Sequence, residues 1–496
     1  EQPKCRRPRN STPLAHQRAP IPRSREGQRA HGVEITSDAC GSPCPPDRGA
    51  RRHPRRRNGR GLSRAQDRPG PRGKSPAHGN LIGTYQLSNK QDTEQAISVA
   101  KKAFKGNYWS DMAGSDREKI IRKAASIIRE RAHELALIET LESGKPISQS
   151  LDEMEWAAGI WDYAATLARH IAGDVNTNLG KDMTVMLQKV PIGVVAMITP
   201  WNFPLLIISQ KLPIALAAGC TAVIKPSEMT PGTTLLLGGI LKEAGLPDGV
   251  VNILAGYGDP VGMTLSESNN VDMITFTGST DVGKHIMRAA SGNLKKVALE
   301  LGGKNPQIIF PDANIDALID AVVFGIYFNM GECCNSGSRI IIHEDVVEEF
   351  QEKVVAHSKK VKLGDPLDPS VKFGAIINKM QLDKIKKYVD SGTAQGAKLL
   401  LGGNQITINN GNYFEPTIFT DVKPEMEIAC EEIFGPVLSI LTFKTRKEAI
   451  EIANSTPFGL SAGVWTKDLD TAMIMTREID AGTVWVNNWM SGNPEI

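Results

Sequence analysis

The stretch Val194–Thr199 reads V-V-A-M-I-T, and residues 200–218 that follow it (P-W-N-F-P-L-L-I-I-S-Q-K-L-P-I-A-L-A-A) turn to a helical spacing of apolar positions from about Leu205. The same change recurs three times, with Ala222–Lys225 before Pro231–Ala244, Val250–Leu254 before Pro260–Glu267, and Val271–Phe276 before Ser279–Ala290. Apolar strands without polar alternation, each followed by a helix, imply an α/β fold whose parallel sheet is covered on both faces. Ligands of such sheets lie beyond the carboxyl ends of the strands. Pro200–Phe203, Lys225–Glu228 and Thr277–Gly283 are therefore the loops expected to carry function.

Upstream, the capping Asp92 and the apolar spacing after it predict a helix over Asp92–Phe104, with further helices over Arg117–Glu142 and Glu153–His170. Trp156, Trp161 and Tyr163 are read there as core residues first. The polar, β-rich Asp174–Lys189 suits a projecting hairpin. Downstream, a second α/β run starts at Pro306–Phe310 and the helix Ile315–Phe328, then continues through Arg339–His343, Val346–Lys359, Leu382–Ser391, Val437–Phe443, Lys447–Asn454 and Gly482–Val486. No period of solenoid type is present.

The 496-residue chain has a net charge of +3 that hides two unlike parts. Residues 1–79 hold 19 Lys and Arg against 6 Asp and Glu, a net of +13, which leaves −10 for the rest. That N-terminal part also holds 12 of the 30 prolines and no Phe, Trp or Tyr, so it is expected to be an unstructured or foreign tail without a part in the chemistry. An acidic body argues against a nucleic-acid surface. The seven cysteines are scattered and odd in number, which points to a reducing, cytoplasmic compartment. No apolar run approaches the length of a membrane span, and no apolar h-region follows the first charges, so secretion is not expected.

Four places carry candidate chemistry. Gly331–Arg339 (G-E-C-C-N-S-G-S-R) sets Cys333 and Cys334 among small residues, which leaves a thiol room for a substrate; a buried cysteine pair filling the core is the alternative. Glu300 ends the apolar run V-A-L-E, where desolvation would raise its pKa towards a base useful near neutrality, although a structural cap or pair reads as well. Asn202 in P-W-N-F offers an amide to an oxyanion, or simply makes a turn.

Thr277–Lys284 (T-G-S-T-D-V-G-K) joins a strand to a helix start that suits a phosphate, but His285 stands where a Walker motif needs a hydroxyl. Lys225 and Glu228 in K-P-S-E suit ribose hydroxyls, and the Glu charge would repel a 2′-phosphate, favouring NAD over NADP. Gly256–Gly262 misses the G-x-G-x-x-G spacing by one residue and reads as a turn.

Together these pieces resemble the NAD(P)-dependent aldehyde dehydrogenase superfamily from about Asn80 to Ile496. The resemblance rests on P-W-N-F-P at 200–204, K-P-S-E at 225–228, F-T-G-S-T-x-V-G at 276–283, L-E-L-G-G-K at 299–304, the cysteine stretch, and E-E-I-F-G-P-V at 431–437. It implies a Rossmann-like NAD-binding domain (80–169 and 190–301), a catalytic domain (302–496) and an oligomerisation hairpin (170–189). It also selects Cys334 as nucleophile, Asn202 with the Cys334 N–H as oxyanion donors, and Glu300 as general base for hydrolytic deacylation. Implied cofactor contacts are Thr199, Pro200, Trp201, Lys225, Ser227, Glu228, Gly258, Phe276, Gly278, Ser279, Val282, Glu432 and Phe434, with no metal. Trp161, Tyr163 and Asn335 are implied to line the substrate entrance.

The resemblance further implies NAD-dependent oxidation of a small aldehyde to the acid, with no nucleic-acid partner and a homodimer or homotetramer. The chain stops at Asn493–Ile496, where relatives are expected to continue into a strand that helps build the oligomer. Two rival readings remain at this level: a phosphotransferase built on Gly278–Lys284, and a polyanion-binding protein acting through residues 1–79.

Overall fold

The computed structural model describes residues 72–491. Residues 1–71 and 492–496 lie outside the described residues, and with them most of the expected tail and the Asn493–Ile496 terminus. Residues 72–79, expected in that tail, are folded. Arg72–Lys74 pairs antiparallel with Leu81–Thr84, and Ser75 and Ala77 are buried. The chain is held there because Pro76 accepts from the Asn412 N–H at 2.9 Å and Ala77 packs with Ala375 and Tyr413.

Five parallel strands form the first sheet, in the order Val251–Ile253, Thr221–Lys225, Val194–Ile198, Met273–Thr277, Lys296–Glu300. The last of these was expected as an apolar strand end at Glu300, and the strand is Lys296–Glu300. Because side chains alternate across a strand, Val195 and Met197 enter one core and Val194, Ala196 and Ile198 enter the other. Burying each of the Val, Ile and Met side chains contributes roughly 1.5–3 kcal/mol. That double burial is why the strand reads as a continuous apolar run.

The second sheet has seven strands in the order Lys398–Leu401, Thr417–Thr420, Val437–Phe443, Arg339–His343, Pro306–Ile309, Ser461–Trp465, Thr483–Val486. Only Lys398–Leu401 is antiparallel to its neighbour. Sequence pattern alone did not pick out Thr417–Thr420 or Ser461–Trp465, although both are wholly buried.

The first helix runs from Lys90 to Lys105, and its cap is Asn89; Asp92 instead closes the reciprocal capping box from the third helical position. The expected long helix 117–142 is two helices, Gly114–Glu130 and Ala132–Ser143, which meet at Arg131. Asp174–Asn176 and Val185–Leu187 form the expected hairpin, with Val175 62% and Met186 76% exposed. No helix of the described residues is long and apolar enough to cross a membrane.

Candidate active site

The cysteine stretch follows the helix Ile315–Tyr327, whose Asn314 cap accepts from the Ala317 N–H. Asn329, Met330 and Gly331 then take left-handed backbone angles (φ 49°, 56° and 73°) and turn the chain sharply. A β-carbon at Gly331 would lie 2.3 Å from the Gly435 carbonyl, so this close approach needs glycine. The two cysteines diverge after the turn. Cys333 is buried in an apolar cluster with Phe203, Ile207 and Phe328, whereas Cys334 is partly exposed. The Cys333 thiol, donating towards Cys334, lowers the Cys334 pKa, assisted by the Asn335 N–H; burial, Glu432 and Glu300 oppose the shift. The same contact and burial push Cys333 well up. The accessible thiol is thus also the one biased towards thiolate.

The L-E-L-G-G-K segment supports this loop from below. Glu300 ends the fifth strand of the first sheet in register with Thr277, and its carbonyl accepts from Gly278. The side chain of Glu300 is exposed, so the expected desolvation of this carboxylate is corrected. The strand lies at the sheet edge, and only its alternate residues Val297 and Leu299 turn inward. A β-carbon at Gly303 would meet the Cys334 carbonyl at 2.7 Å, and one at Gly302 would meet Glu432 Oε2 at 2.4 Å. The Gly303 N–H donates to Glu432 Oε1 at 3.1 Å. Burial raises the Glu432 pKa, against the effect of that bond. The glycine pair therefore brings the cysteine loop and the E-E-I-F-G-P-V segment against one turn.

Asn202 is buried and donates to the Glu332 carbonyl at 3.0 Å, a carbonyl that Asn329 also reaches at 3.0 Å. Its amide is tied to the residue two before Cys334. Lys211 was missed by sequence reading. It donates to Thr275 at 3.2 Å, and burial lowers its pKa while Glu300 and Cys334 act to raise it. The available signal was a lone lysine inside the apolar run Leu205–Ala218. Trp161 does not line an entrance: it is fully buried and donates to Ser209 at 2.9 Å.

At the carboxyl edge of the first sheet, Lys225 is buried, donates to the Pro226 carbonyl, and lies 3.5 Å from Glu228. Burial lowers its pKa and Glu228 raises it. Ser227 is buried, with its hydroxyl accepting from Met229. Thr199 is buried with an unpartnered hydroxyl, as is Thr277. Pro200 and Trp201 are half-buried. Trp201 meets Phe434 edge-on at 5.3 Å, and Gln381 holds the Phe434 carbonyl at 2.7 Å.

Gly278 lies over buried Phe276, leaving no room for a β-carbon. Ser279, exposed, caps the helix Thr280–Ala290, on which Val282 is also exposed. Gly258 is exposed, and Gly258–Gly262, expected as part of a turn, is instead a helical segment that runs into the helix Met263–Glu267. The orphaned hydroxyls, the open helix start and the Lys225–Glu228 pair fit a dinucleotide along this edge. Lys284 does not fit a phosphate-gripping lysine, since it is exposed and lies 3.8 Å from Asp281.

The structure is a two-sheet α/β fold in which the partly exposed Cys334 packs on the Gly302–Gly303 turn that follows the last strand of the first sheet. Comparison with known proteins makes this specific. The model of the aldehyde dehydrogenase family matches residues 66–496. Betaine aldehyde dehydrogenase of Bacillus subtilis is 40% identical over 418 residues, covering 84% of this chain and 85% of that protein.

The crystal structure of an NAD-dependent aldehyde dehydrogenase from Sinorhizobium meliloti superposes with a TM-score of 0.84 at 47% identity, over 85% of this chain and 84% of that one. The P. syringae indole-3-acetaldehyde dehydrogenase in complex with NAD+ gives 0.84 at 40% identity, over 85% and 86%. The chain belongs to the aldehyde dehydrogenase family.

Proposed function

We propose that this protein oxidises a small aldehyde to the carboxylic acid with NAD+, through a thiohemiacetal and then a thioester on Cys334. The observation that carries this reading is the partly exposed, thiolate-biased Cys334 packed on the segment that presents Glu300. NAD+, when bound, supplies the hydride acceptor. Cys334 forms the carbon–sulfur bond, and Asn202 with the Cys334 N–H donates to the oxygen that becomes negative. Glu300 takes the proton of the water that releases the acid. Its exposure keeps it in reach of solvent.

Thr199, Pro200, Trp201, Lys225, Ser227, Glu228, Gly258, Phe276, Gly278, Ser279 and Val282 hold the nucleotide side of the cofactor, and Glu432 and Phe434 its reactive side. Residues 80–169 with 190–301 serve as the cofactor domain and 302–496 as the catalytic domain. The negative Glu228 beside Lys225 favours NAD over NADP. The exposed apolar side chains of the hairpin serve a homodimer or homotetramer. A cytoplasmic location accords with free cysteines at 220, 333, 334 and 430.

The test is turnover with Glu300→Gln, following both NADH and acid. A single burst of NADH followed by slow acid release supports the roles assigned, and undiminished steady-state turnover sinks them.

A further inference from the structure

Behind the Gly302–Gly303 turn lies a small cavity of about 10 Å³, walled by Lys304, Arg339, Ser461, Asn305, Phe458 and Asp480. That is room for about one water-sized particle. Three of the wall residues are almost wholly buried, Lys304 and Arg339 at 1% exposure and Ser461 at 2%. Each has a polar atom without a protein partner: Lys304 Nζ, Arg339 Nε and Ser461 Oγ. The remaining donors of Arg339 are taken, by the Ile452 carbonyl at 2.9 Å, the Ala453 carbonyl at 2.7 Å and Ser455 at 3.3 Å. Asn305 is committed as well, giving to Cys334 and Ser336 and accepting from the Ser461 N–H.

What is left over is chemically one-sided. An ammonium and a guanidinium can only donate, and a hydroxyl can donate as well as accept. Among the described residues neither cation has a carboxylate within ion-pair distance; Asp480, the one acid in the wall, is exposed. Two cationic groups that line one cavity without a counter-charge are costly to keep charged, and a neutral water would satisfy their hydrogen bonds but would not offset that cost. Burial and then Arg339 push the Lys304 pKa down to about 7, while Glu432, Cys430 and Glu431 oppose this without touching the amine. We propose that this cavity is a binding site for one small monovalent anion of the halide class, held by Lys304, Arg339 and Ser461.

Its position gives the ion a structural consequence. Lys304 follows the glycine pair that packs on Cys334 and Glu432, and Ser461 opens the next-to-last strand of the second sheet. An anion here ties the Leu299–Asn305 segment to that sheet.

Crystals of the full chain soaked in bromide, with anomalous diffraction, test the proposal directly. It is paired with thermal unfolding at fixed ionic strength as bromide replaces gluconate. The expected results are an anomalous peak between the three groups and a Tm that climbs with bromide and saturates. Lys304→Met is expected to abolish both. Ser461→Ala, which keeps both cations, shifts the saturation to higher bromide. Water-level density without an anomalous peak, or a Tm indifferent to the exchange, overturns the proposal. If Lys304→Met does not fold, the wild-type map and the Ser461→Ala titration decide the question.

Discussion

Asn305 donates its side-chain amide to the carbonyl of Cys334 at 2.7 Å and to that of Ser336 at 2.9 Å. Five residues beyond Glu300, it clamps the backbone of the cysteine loop from the segment that follows the first sheet. Asn305→Ala leaves two carbonyls unpaired in a buried place, at a cost of about 1–3 kcal/mol for a group stripped of its partner. We expect a lowered Tm and a kcat reduced about 10-fold or more by misplacement of the thiol, with KM for NAD+ changed little. Calorimetry and steady-state NADH formation check both.

Cys333 acts on Cys334 through its thiol proton, which favours the Cys334 thiolate. Cys333→Ala removes that donor, so the pH midpoint for alkylation of Cys334 by iodoacetamide is expected to move upward. Cys333→Ser, which keeps a donor, shifts it less. Cys334→Ser should abolish both the fast label and turnover. A midpoint unmoved by Cys333→Ala would break the link between the two thiols.

The glycine pair separates two kinds of close approach. At Gly303 a β-carbon would meet Asn305 Oδ1 at 2.6 Å and also backbone, the Cys334 carbonyl at 2.7 Å, whereas at Gly302 it would meet only the flexible end of Glu432, at 2.4 Å. Gly303→Ala is therefore expected to cost more activity and more stability than Gly302→Ala, since a side chain rotates away more cheaply than a loop shifts. Side-by-side kinetics and melting curves give the order.

Glu142 accepts from the Gly232 N–H at 2.9 Å, yet burial first, with nearby Glu139 adding to it, raises its pKa from 4.5 to about 8. A carboxyl raised in the folded state binds its proton more tightly there than when unfolded. Its contribution is full below about pH 4.5 and is lost as pH rises through about 8. Glu142→Gln keeps an acceptor and removes the titration. Its Tm relative to wild type should become more favourable from pH 5 to pH 8.

Glu228, 3.5 Å from Lys225, is expected to discriminate against a 2′-phosphate. Glu228→Gln should raise kcat/KM with NADP+ relative to NAD+ about 10-fold. An unchanged ratio would remove Glu228 from cofactor choice.

The alternation that begins at Val194–Thr199 was legible because both faces of that strand are buried, so apolar residues fill every position. The motifs P-W-N-F, K-P-S-E and L-E-L-G-G-K stood out for the same local reason: each breaks an apolar strand with residues a core would not hold. Their order along the chain was enough to show the family resemblance and to place Cys334, Glu300 and Asn202 as candidates.

Local pattern could not show that Glu300 is exposed, since that depends on its strand being the sheet edge. Nor could it separate two adjacent cysteines, which differ only because Phe203, Ile207 and Phe328 close over one of them. Lys211, Asn305 and the Lys304–Arg339 cavity likewise depend on segments far apart in sequence. The sequence by itself determined the elements and the chemical repertoire, because periodicity and turn residues act over a few neighbours. Tertiary structure alone decided exposure, partners and charge environment, because these are set by which distant segments come to share one place.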